Sequence, residues 1–292
     1  MKSSRYILPF LLLFLAACSK HEEVADAYGN FEAIEVMVSA ESQGRVVAFE
    51  PEEGATLLED QVSVVIDTTQ HYLKKIQLES GFASLGTRIQ TLDAQITASR
   101  VRMNNLEREK QRIDKLVEGG AATSQQQDDM NGQIALLEAQ ILATESQKSS
   151  VYAERKTLEV QIRQVEDQIL KCAIRNPING ILLTKYKEEG EIAAPGQPLY
   201  KVANLDELIL RAYVSGNQLS SVIVGKEVRV RFDVQEGMEE ITGMVSWISP
   251  RAEFTPKIIQ TREERVNLVY AIKVMVSNDG SLKIGMPGEV IF

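Results

Sequence analysis

The chain has 292 residues, a formal net charge of −9 at pH 7, 44% hydrophobic residues and 25% charged residues. These fractions are typical of a folded chain of about two domains and exclude disorder over most of its length. An acidic chain is a poor partner for nucleic acid, so that class of function is excluded as well. The middle third is rich in Gln, Glu, Ala and Leu and cannot form a wide globular core, which predicts an elongated α+β protein.

The N-terminal residues contain an export signal. Lys2 and Arg5 precede an apolar run, 7–15, that is too short to span a bilayer and is typical of a signal peptide. The run ends in Leu-Ala-Ala followed by Cys18, which resembles the bacterial lipobox. This resemblance implies that residues 1–17 are removed and Cys18 is acylated, so that the net charge becomes −9 − 2 = −11. The alternative is an uncleaved anchor helix, and both alternatives place the remaining chain outside the cytoplasm.

A polar segment without a period follows the cysteine, and residues 18–30 are therefore predicted to be a lipidated, flexible tether. Beyond it Ile34, Val36 and Val38 occupy alternate positions, which is the period of a β-strand. Short runs rich in Val and Ile follow, separated by Gly and Pro at turn positions. Residues 31–67 are therefore predicted to form an N-terminal strand and a small set of further strands.

The pattern becomes helical after Asp67, which together with Gln70 predicts a capping box. Apolar residues then recur in alternating steps of four and three, which is the heptad spacing of a coiled coil. Ten of the twelve predicted seam positions in this first stretch are apolar, and the positions are 78, 82, 85, 89, 92, 96, 99, 103, 106, 110, 113 and 117.

A reversal is predicted at Gly119 and Gly120, because two residues without Cβ tolerate the backbone of a tight turn. The heptad then resumes, with nine apolar residues at the twelve positions 130, 134, 137, 141, 144, 148, 151, 155, 158, 162, 165 and 169. Each stretch covers 117 − 78 = 169 − 130 = 39 residues, which corresponds to a rod of about 58 Å. We therefore expect an antiparallel coiled-coil hairpin over residues 68–173. The alternative, a compact helical bundle, needs a wider apolar face than these polar flanks provide.

Five of the predicted seam positions are polar, namely Ser99 and the four larger residues Lys110, Thr144, Lys148 and Arg155. These four larger residues weaken the seam locally, and we expect them to fix its register or to meet neighbouring subunits. Once Cys18 is acylated, Cys172 is the remaining thiol, so an intramolecular disulfide is impossible. We expect Cys172 to act as a small buried hydrophobe.

Strand patterns return in residues 174–203 and continue through 204–292, as in the alternating run 228–232. Short antiparallel strands commonly avoid exposed edges by closing into a barrel. Residues 204–292 are therefore predicted to form a small antiparallel β-barrel.

The two β segments that flank the helices resemble each other. Gly44-Arg45-Val46, Glu53-Gly54 and Gln61-Val62 recur as Gly180-Ile181-Leu182, Glu189-Gly190 and Gln197-Pro198-Leu199. They look like the two halves of a biotinyl/lipoyl domain split by the inserted coiled coil. The first half lies within 31–67, after the N-terminal strand, and the second half is 174–203. Such an insertion costs little closure entropy. Asp60 departs from the pattern, since the first half usually has Gly there; the turn must use another backbone shape or a left-handed Asp.

A lipobox, a split lipoyl-like domain with a helical insertion, and a β-barrel, in this order, resemble the periplasmic adaptor or membrane fusion protein family of the HlyD type. The resemblance implies a periplasmic, inner-membrane lipoprotein that assembles into a ring, a hexamer in this family. It would link an inner-membrane exporter to a TolC-like outer-membrane channel in a tripartite efflux or secretion system.

An ABC-type exporter is favoured as the inner-membrane partner. Residues 253–257, 260–265 and 268–270 resemble adaptors of that class, and Gly285-Met286-Pro287-Gly288 resembles the closing turn of their barrel. The alternatives are an adaptor of a proton-driven (RND-type) pump and a purely structural coiled-coil envelope lipoprotein without a transport partner.

The predicted hairpin tip carries a second resemblance. Adaptors that engage TolC-like channels have an Arg, a Leu four residues on and a Ser seven residues after that, which here are Arg112, Leu116 and Thr123. Asp128 matches a frequent acidic position after the Ser. The resemblance implies that these four residues dock on the channel. In either case Thr123 is expected to cap the second helix with Gln126. The alternative is that Arg112 is solvated, Leu116 closes the coiled coil and Thr123 is only a cap.

Signatures of catalysis and metal binding are missing from the sequence. His21 and His71 are the only histidines, and HExxH, CxxC, GxSxG and Gly-rich phosphate-binding motifs do not occur. We therefore expect no enzyme activity, no cofactor and no metal site. A swinging-arm carrier, suggested by the lipoyl likeness, is rejected because the helical insertion occupies the place of its modifiable Lys.

Overall fold

The computed structural model describes residues 24–235, 237–254 and 268–292. The chain divides into two compact units, each described by itself. The barrel unit combines the residues up to Val36 with Ala203–Phe292, and the hairpin unit is Met37–Val202.

The elements in chain order are β1 (Ala27–Glu32), β2 (Glu35–Ser39), β3 (Gly44–Ala48), β4 (Thr56–Leu57), β5 (Val62–Ile66), α1 (Thr69–Glu118), α2 (Ser124–Leu170), β6 (Ala173–Arg175), β7 (Gly180–Lys185), β8 (Ile192–Ala193), β9 (Pro198–Ala203), β10 (Glu207–Ser215), a 3₁₀ turn (Leu219–Ser221), β11 (Glu227–Val234), β12 (Gly237–Ile248), β13 (Glu253–Phe254), β14 (Leu268–Ser277) and β15 (Pro287–Ile291). Helices and strands are thus segregated along the chain, as the predicted α+β class requires.

The barrel unit is an antiparallel sheet that closes on itself. Within the described ranges its strand order is β10-β1-β15-β11-β12-β14, with β14 pairing back to β10 and the short β13 added beside β14. Closure pairs the backbone groups that an open sheet would leave at its edges. The predicted β-barrel is confirmed.

The barrel core follows from the alternation along its strands. In β10 the side chains of Leu208, Leu210 and Val214 are fully buried, whereas their neighbours in sequence are partly exposed. Phe31 and Phe232 meet edge-to-face at 6.3 Å between ring centroids inside the same core. A period of two therefore sorts apolar side chains to the inside.

The start of β1 corrects the predicted tether. β1 begins at Ala27, so the prediction that residues 27–30 belong to a flexible tether is wrong. Pairing with β10 and β15 supplies the backbone hydrogen bonds of this segment, and Ala27 and Phe31 enter the core. β1 also belongs to the barrel unit, whereas the rest of the range 31–67 from Met37 onward belongs to the hairpin unit.

Close backbone contacts hold β1 in place. A Cβ on Gly29 would lie 1.9 Å from the Arg211 carbonyl oxygen, and one on Gly288 would lie 2.8 Å from the Phe31 ring. The Gly285 N–H donates to the Phe31 carbonyl oxygen at 2.7 Å. The turn that resembles the family's barrel closure therefore fastens β1 to β15.

The β part of the hairpin unit consists of two four-stranded sheets, with strand orders β2-β9-β7-β4 and β6-β5-β3-β8. Both sheets mix strands from before and after the helices. The two halves are related by an offset of 136 residues: Val46 corresponds to Leu182 (182 − 46 = 136) and Gly54 corresponds to Gly190 (190 − 54 = 136). The Gly54 N–H donates to the Leu182 carbonyl oxygen, and the Gly190 N–H to that of Val46, both at 2.8 Å. The two halves predicted from the sequence thus form one pseudo-twofold domain.

The turn at Asp60 has the left-handed backbone that the sequence left open as one alternative. Asp60 has a φ of 62°, and its counterpart Gly196 has a φ of 83°. The Asp60 N–H donates to the Asn176 carbonyl oxygen and the Gly196 N–H to that of Ala40, both at 2.8 Å. Asp tolerates this region better than most residues, because its short polar side chain is compatible with left-handed turns.

Asp60 gives a stability prediction. Asp60→Gly is expected to raise the free energy of unfolding and Asp60→Val to lower it, each by about 1 kcal/mol, because a β-branched residue is strained at positive φ. Urea unfolding followed by circular dichroism measures the change. The matched control is Glu59→Gly at the preceding residue, where φ is not positive and Gly brings no relief. A destabilising Asp60→Gly would contradict the argument.

The helices emerge where β5 and β6 pair side by side, next to the pair of Val65 and Ala173. The Ile66 N–H donates to the Cys172 carbonyl oxygen at 2.8 Å, so the chain leaves and re-enters the sheet at adjacent points. Two helices of 50 and 47 residues pack against each other. The split lipoyl-like domain with an inserted hairpin is therefore confirmed as a fold.

The seam lies where the heptads placed it. Every one of the 12 + 12 predicted seam positions is buried or half-buried. Leu85, Ile89, Leu92 and Val151 form its best-buried cluster, with Leu158 packed against them. A stripe with a period of 3.5 residues stays on one side of a helix and so faces the partner helix over its whole length.

One predicted helix cap is wrong. The N-cap of α1 is Thr68, whose side chain makes no capping hydrogen bond. Asp67 lies one residue earlier, and its carboxylate accepts from the N–H of Thr69 at 2.8 Å and from the hydroxyl of Thr69 at 2.6 Å. These two hydrogen bonds lower the pKa of Asp67 below its usual value. The local Asp–Thr turn therefore replaces the reciprocal box expected with Gln70.

Candidate functional site

The hairpin tip is the reversal between α1 and α2. The Gly119 N–H donates to the Lys115 carbonyl oxygen at 3.2 Å, and the Ala121 N–H donates to that of Leu116 at 2.7 Å. Gly120 has a φ of 68°, the left-handed backbone with which α-helices commonly end. The chain therefore turns within a few residues, as the Gly pair predicted.

The second side of the tip begins with the capping box expected from the sequence. The Thr123 hydroxyl oxygen accepts from the Gln126 N–H at 3.3 Å, and the Gln126 side-chain oxygen accepts from the Thr123 N–H at 3.0 Å. The capping role predicted for Thr123 is confirmed. Because its oxygen is only an acceptor in this box, the hydroxyl can still donate to a partner.

The candidate docking residues of α1 point away from the seam. Arg112 and Leu116 are four residues apart and so lie on one face of the helix. The Arg112 side chain is 72% exposed and its guanidinium lies 2.8 Å from the Glu109 carboxylate. Leu116 is 49% exposed, although it is a large apolar residue. Asp128 is exposed on the second turn of α2.

The tip is braced by an acid that the sequence reading missed. Asp114 accepts from the Lys110 ammonium at 2.9 Å and, across the hairpin, from the Gln127 amide at 2.8 Å. The hydrogen bond from Lys110 is the main reason that the pKa of Asp114 lies below its usual value. The pair of Lys110 and Asp114 could have been found in the sequence, because a Lys and an Asp four residues apart lie on one face of a helix. The contact between Asp114 and Gln127 joins two helices, and no spacing within either helix indicates it.

Polar residues in the middle of the seam find partners across the hairpin. Lys148 pairs with Asp93, and this hydrogen bond raises the pKa of Lys148. The Arg155 guanidinium lies over the Phe82 ring at 4.3 Å. Interhelical pairs of this kind favour one register over its neighbours, as expected of polar residues in a coiled-coil seam.

Cys172 lies at the base of the hairpin and is fully buried, as predicted. Its sulfur lies 3.3 Å from the Ser42 hydroxyl oxygen, which in turn lies 3.3 Å from Nε2 of the His71 ring.

Within the described part of the chain, no group of three or more His, Cys, Asp or Glu residues is placed to hold a metal ion.

Some predicted features fall outside the described residues. Cys18 and the rest of the signal and lipobox segment do so, as do the residues 255–267 on which most of the resemblance to adaptors of ABC-type exporters rests. Glu253, at the start of that stretch, is described, and its carboxylate lies 3.3 Å from the Arg211 guanidinium. In the ranges that the structure covers, no helix is both long and apolar enough to cross a membrane.

The barrel unit has an open groove of about 640 Å³ on its outer face. Tyr28 and Tyr213, which are direct cross-strand partners, line part of it. The ion pair between Arg231 and Glu289, 3.1 Å apart, lines another part. Within the groove, the Arg231 guanidinium and the Glu289 carboxylate neutralise each other.

Comparison with solved structures finds the same fold in other proteins. The chain is similar to MacA from Actinobacillus actinomycetemcomitans, with a TM-score of 0.64 and 19% sequence identity over 91% of this chain and 78% of that one. It is also similar to the membrane fusion protein Spr0693 from Streptococcus pneumoniae R6, with a TM-score of 0.54 and 15% identity over 90% and 96% of the two chains. The resemblance to adaptors of the HlyD type is thus confirmed in the fold.

Comparison with curated proteins gives partial matches. A UPF0194 membrane protein of Yersinia pseudotuberculosis serotype O:3 (strain YPIII) is 37% identical over 117 residues, which are 40% of this chain and 35% of that protein. A UPF0194 membrane protein of Acidithiobacillus ferridurans is 31% identical over 144 residues, 49% of this chain and 41% of that protein. The match therefore spans about a third to two fifths of these relatives' length. No family model matches the chain.

Proposed function

We propose that this protein is the periplasmic adaptor subunit of a tripartite efflux or secretion system and has no enzymatic activity. It would link an inner-membrane exporter to a TolC-like outer-membrane channel. The observation that carries the proposal is a hairpin of two helices, 50 and 47 residues long, that exposes Arg112 and Leu116 at its tip. A rod that buries its seam internally but leaves a Leu and an Arg exposed at its end has the chemistry of a docking site.

Each tip residue has a distinct role in this proposal. Arg112 donates to carbonyl or carboxylate oxygens of the channel, for which its planar guanidinium is well suited. Leu116 fills an apolar recess, the Thr123 hydroxyl donates one further hydrogen bond, and Asp128 accepts one. The brace between Asp114 and Gln127 keeps the two sides of the tip together, so that both helices meet the channel at once.

Self-association into a ring, a hexamer in this family, is part of the proposal. The hairpin supports it with large apolar side chains that the seam does not use: Leu136 is 72% exposed and Leu142 is 68% exposed. Apolar residues on the flanks of a rod are accessible to the rod of a neighbouring subunit. Exported substrates would pass through the ring unchanged, and movements of the exporter would be relayed by the packed helices.

We further propose that Cys18 carries the lipid and that the inner membrane is the site of attachment. Among exporters the ABC type is favoured, on the resemblance of residues 253–257, 260–265 and 268–270 and of the Gly285–Gly288 turn. The turn supports this proposal because Gly285 and Gly288 both contact Phe31, so the residues that carry the resemblance help to close the barrel. The proton-driven pump class is the second candidate exporter.

A photo-crosslinking experiment tests the partners. p-Benzoylphenylalanine is placed at Leu116 and, as the matched control, at Leu142, an exposed Leu away from the tip. Irradiation of intact cells is expected to link position 116 to an outer-membrane channel protein and position 142 to a second copy of the adaptor, both identified by mass spectrometry. Co-purification of an ABC permease after chemical cross-linking supports the favoured exporter class, and recovery of a proton-driven pump supports the second. A position 116 that reacts with no channel protein contradicts the docking role.

A further inference from the structure

A cluster of exposed apolar side chains occupies the outer face of the barrel unit on β12 and β14. Met244 and Met275 are direct cross-strand partners and are 49% and 42% exposed. Trp247, the single tryptophan of the chain, is exposed next to them. Single apolar residues on a surface are ordinary, but a contiguous group marks a contact with a partner or a membrane. We call these three residues the Met-Trp patch.

A bulge in β12 creates the patch. The pairing with β14 shifts register between Val245, which lies opposite Val274, and Trp247, which lies opposite Lys273. Without the shift, Trp247 would follow Val245 into the core, because side chains two residues apart share a face of a strand. Bulges commonly re-aim a side chain in this way. The fold therefore directs its tryptophan outward.

A turn before β11 extends the patch. Ile223 and Val224 are 62% and 58% exposed. The Gly225 N–H donates to the Val245 carbonyl oxygen at 2.8 Å, and the Val245 N–H donates to that of Lys226 at 3.0 Å, which holds the turn beside β12. Two adjacent apolar residues thus lie at the tip of a turn that is fixed next to the Met-Trp patch.

The polar surroundings of the patch suit a lipid surface. The Lys273 ammonium lies 5.5 Å from the centroid of the Trp247 ring. Trp prefers the boundary between acyl chains and headgroups, and a Lys with an apolar stem can keep its ammonium at headgroup level. Lys226 lies at the edge of the same turn. The patch therefore combines an apolar centre with cations at its rim.

The length of the tether allows the patch to reach a membrane. From Cys18 to Ala27 there are 27 − 18 = 9 residues, which span at most about 30 Å. Asn30 of β1 lies in the same cross-strand row as Arg211, Lys273 and Trp247. Trp247 is therefore three strands away from Asn30 around the barrel, and Ala27 is three residues from Asn30 along β1. The two displacements together separate Trp247 from Ala27 by about 17 Å. A barrel held by a lipid at Cys18 can turn this face to the bilayer.

We infer that the Met-Trp patch, with the Ile223–Val224 turn, lies in the headgroup region of the membrane that holds Cys18 and fixes the orientation of the barrel on it. The inference rests on the proposed lipid anchor. The lipid attaches the protein to the membrane. The patch prevents the tethered barrel from rotating relative to the bilayer. Without such a contact the barrel could present any of its faces to the bilayer.

The single tryptophan allows a direct test. Full-length lipidated protein, purified from membranes, is reconstituted into phosphatidylethanolamine/phosphatidylglycerol vesicles with or without brominated acyl chains. Trp247 emission is expected to shift to the blue on reconstitution and to fall about twofold in brominated vesicles, as for an interfacial indole. Met244→Ser with Met275→Ser is expected to abolish this quenching. The matched control is Met238→Ser, an equally exposed Met at the other end of β12, which should leave it unchanged.

Flotation of the vesicles separates the two ways in which the idea can fail. Protein that does not float with the vesicles overturns the lipid anchor and, with it, this inference. Protein that floats while its Trp247 emission is the same in brominated and ordinary vesicles overturns the patch alone; this is also the result expected if the patch covers a protein partner. Circular dichroism of each variant verifies that the barrel is folded.

Discussion

Under the proposed docking role, Leu116→Asp is expected to abolish export while leaving the protein folded and attached to the membrane. Leu116 is half exposed at the end of α1, so a carboxylate there is solvated in the free protein. When the tip docks, the same carboxylate would be buried in an apolar recess without a partner, at a cost of about 2 kcal/mol or more. A loss of this size corresponds to a roughly thirtyfold weaker contact with the channel. The measurement is complementation of the export defect of a deletion strain.

Leu73→Asp is the matched control for this substitution. Leu73 is 55% exposed near the start of α1, at the opposite end of the hairpin from the tip, and its replacement introduces the same charge away from the tip. Both variants should retain the helicity and membrane attachment of the original protein. Export that survives Leu116→Asp would remove the docking proposal, and equal loss in both variants would indicate a role of the helix surface as a whole.

Cys18→Ser is expected to abolish lipidation completely. The thiol is the group that accepts the lipid, and a hydroxyl does not replace it. Cells grown with an alkyne-labelled fatty acid should incorporate no label into the variant, and removal of residues 1–17 should fail, so that a larger precursor accumulates. Labelling followed by gel electrophoresis measures both effects in one experiment.

Cys172→Ser provides the control, because Cys18 and Cys172 are the two cysteines of the sequence. Cys172 is fully buried at the base of the hairpin, so its replacement should leave labelling and processing intact. Label that persists in Cys18→Ser but disappears in Cys172→Ser would reverse the assignment.

The tip shows how far sequence reasoning reaches into the candidate site. The Gly pair at 119–120 predicted the reversal, and the spacing of Thr123 and Gln126 predicted a capping box that is present. Both features depend on residues within one or two turns of each other. The docking role of Arg112, Leu116 and Asp128 stays a prediction, because it concerns a partner and not the chain itself.

The cap at Asp67 shows why a similar pattern failed elsewhere. Asp67 and Gln70 have the spacing of a box, but the helix begins one residue later than that spacing requires. Thr69 offers Asp67 both an N–H and a hydroxyl, and this local pair competes with the box. A pattern of residue types does not decide between two caps of nearly equal free energy.

The sequence by itself determined the coiled-coil seam, the split of the lipoyl-like domain into two halves and the presence of a barrel. Each of these depends on a periodicity or a repeat along the chain, and a buried stripe at a fixed period leaves few alternatives for the backbone. At Asp60 the sequence left two alternatives, another backbone shape or a left-handed Asp, and the structure shows the second, with a φ of 62°.

Only the tertiary structure decided that β1 completes the barrel, that a bulge directs Trp247 outward and that Asp114 braces the tip against Gln127. These features join residues far apart in the sequence, from Ala27 to Val290 in the first case. Pairing across such a distance supplies hydrogen bonds and burial that outweigh the weak local preferences of the segments involved. The physical reason is that a strand edge or a helix face is stabilised by the elements that pack beside it in space. A periodicity along the chain does not indicate which elements those are.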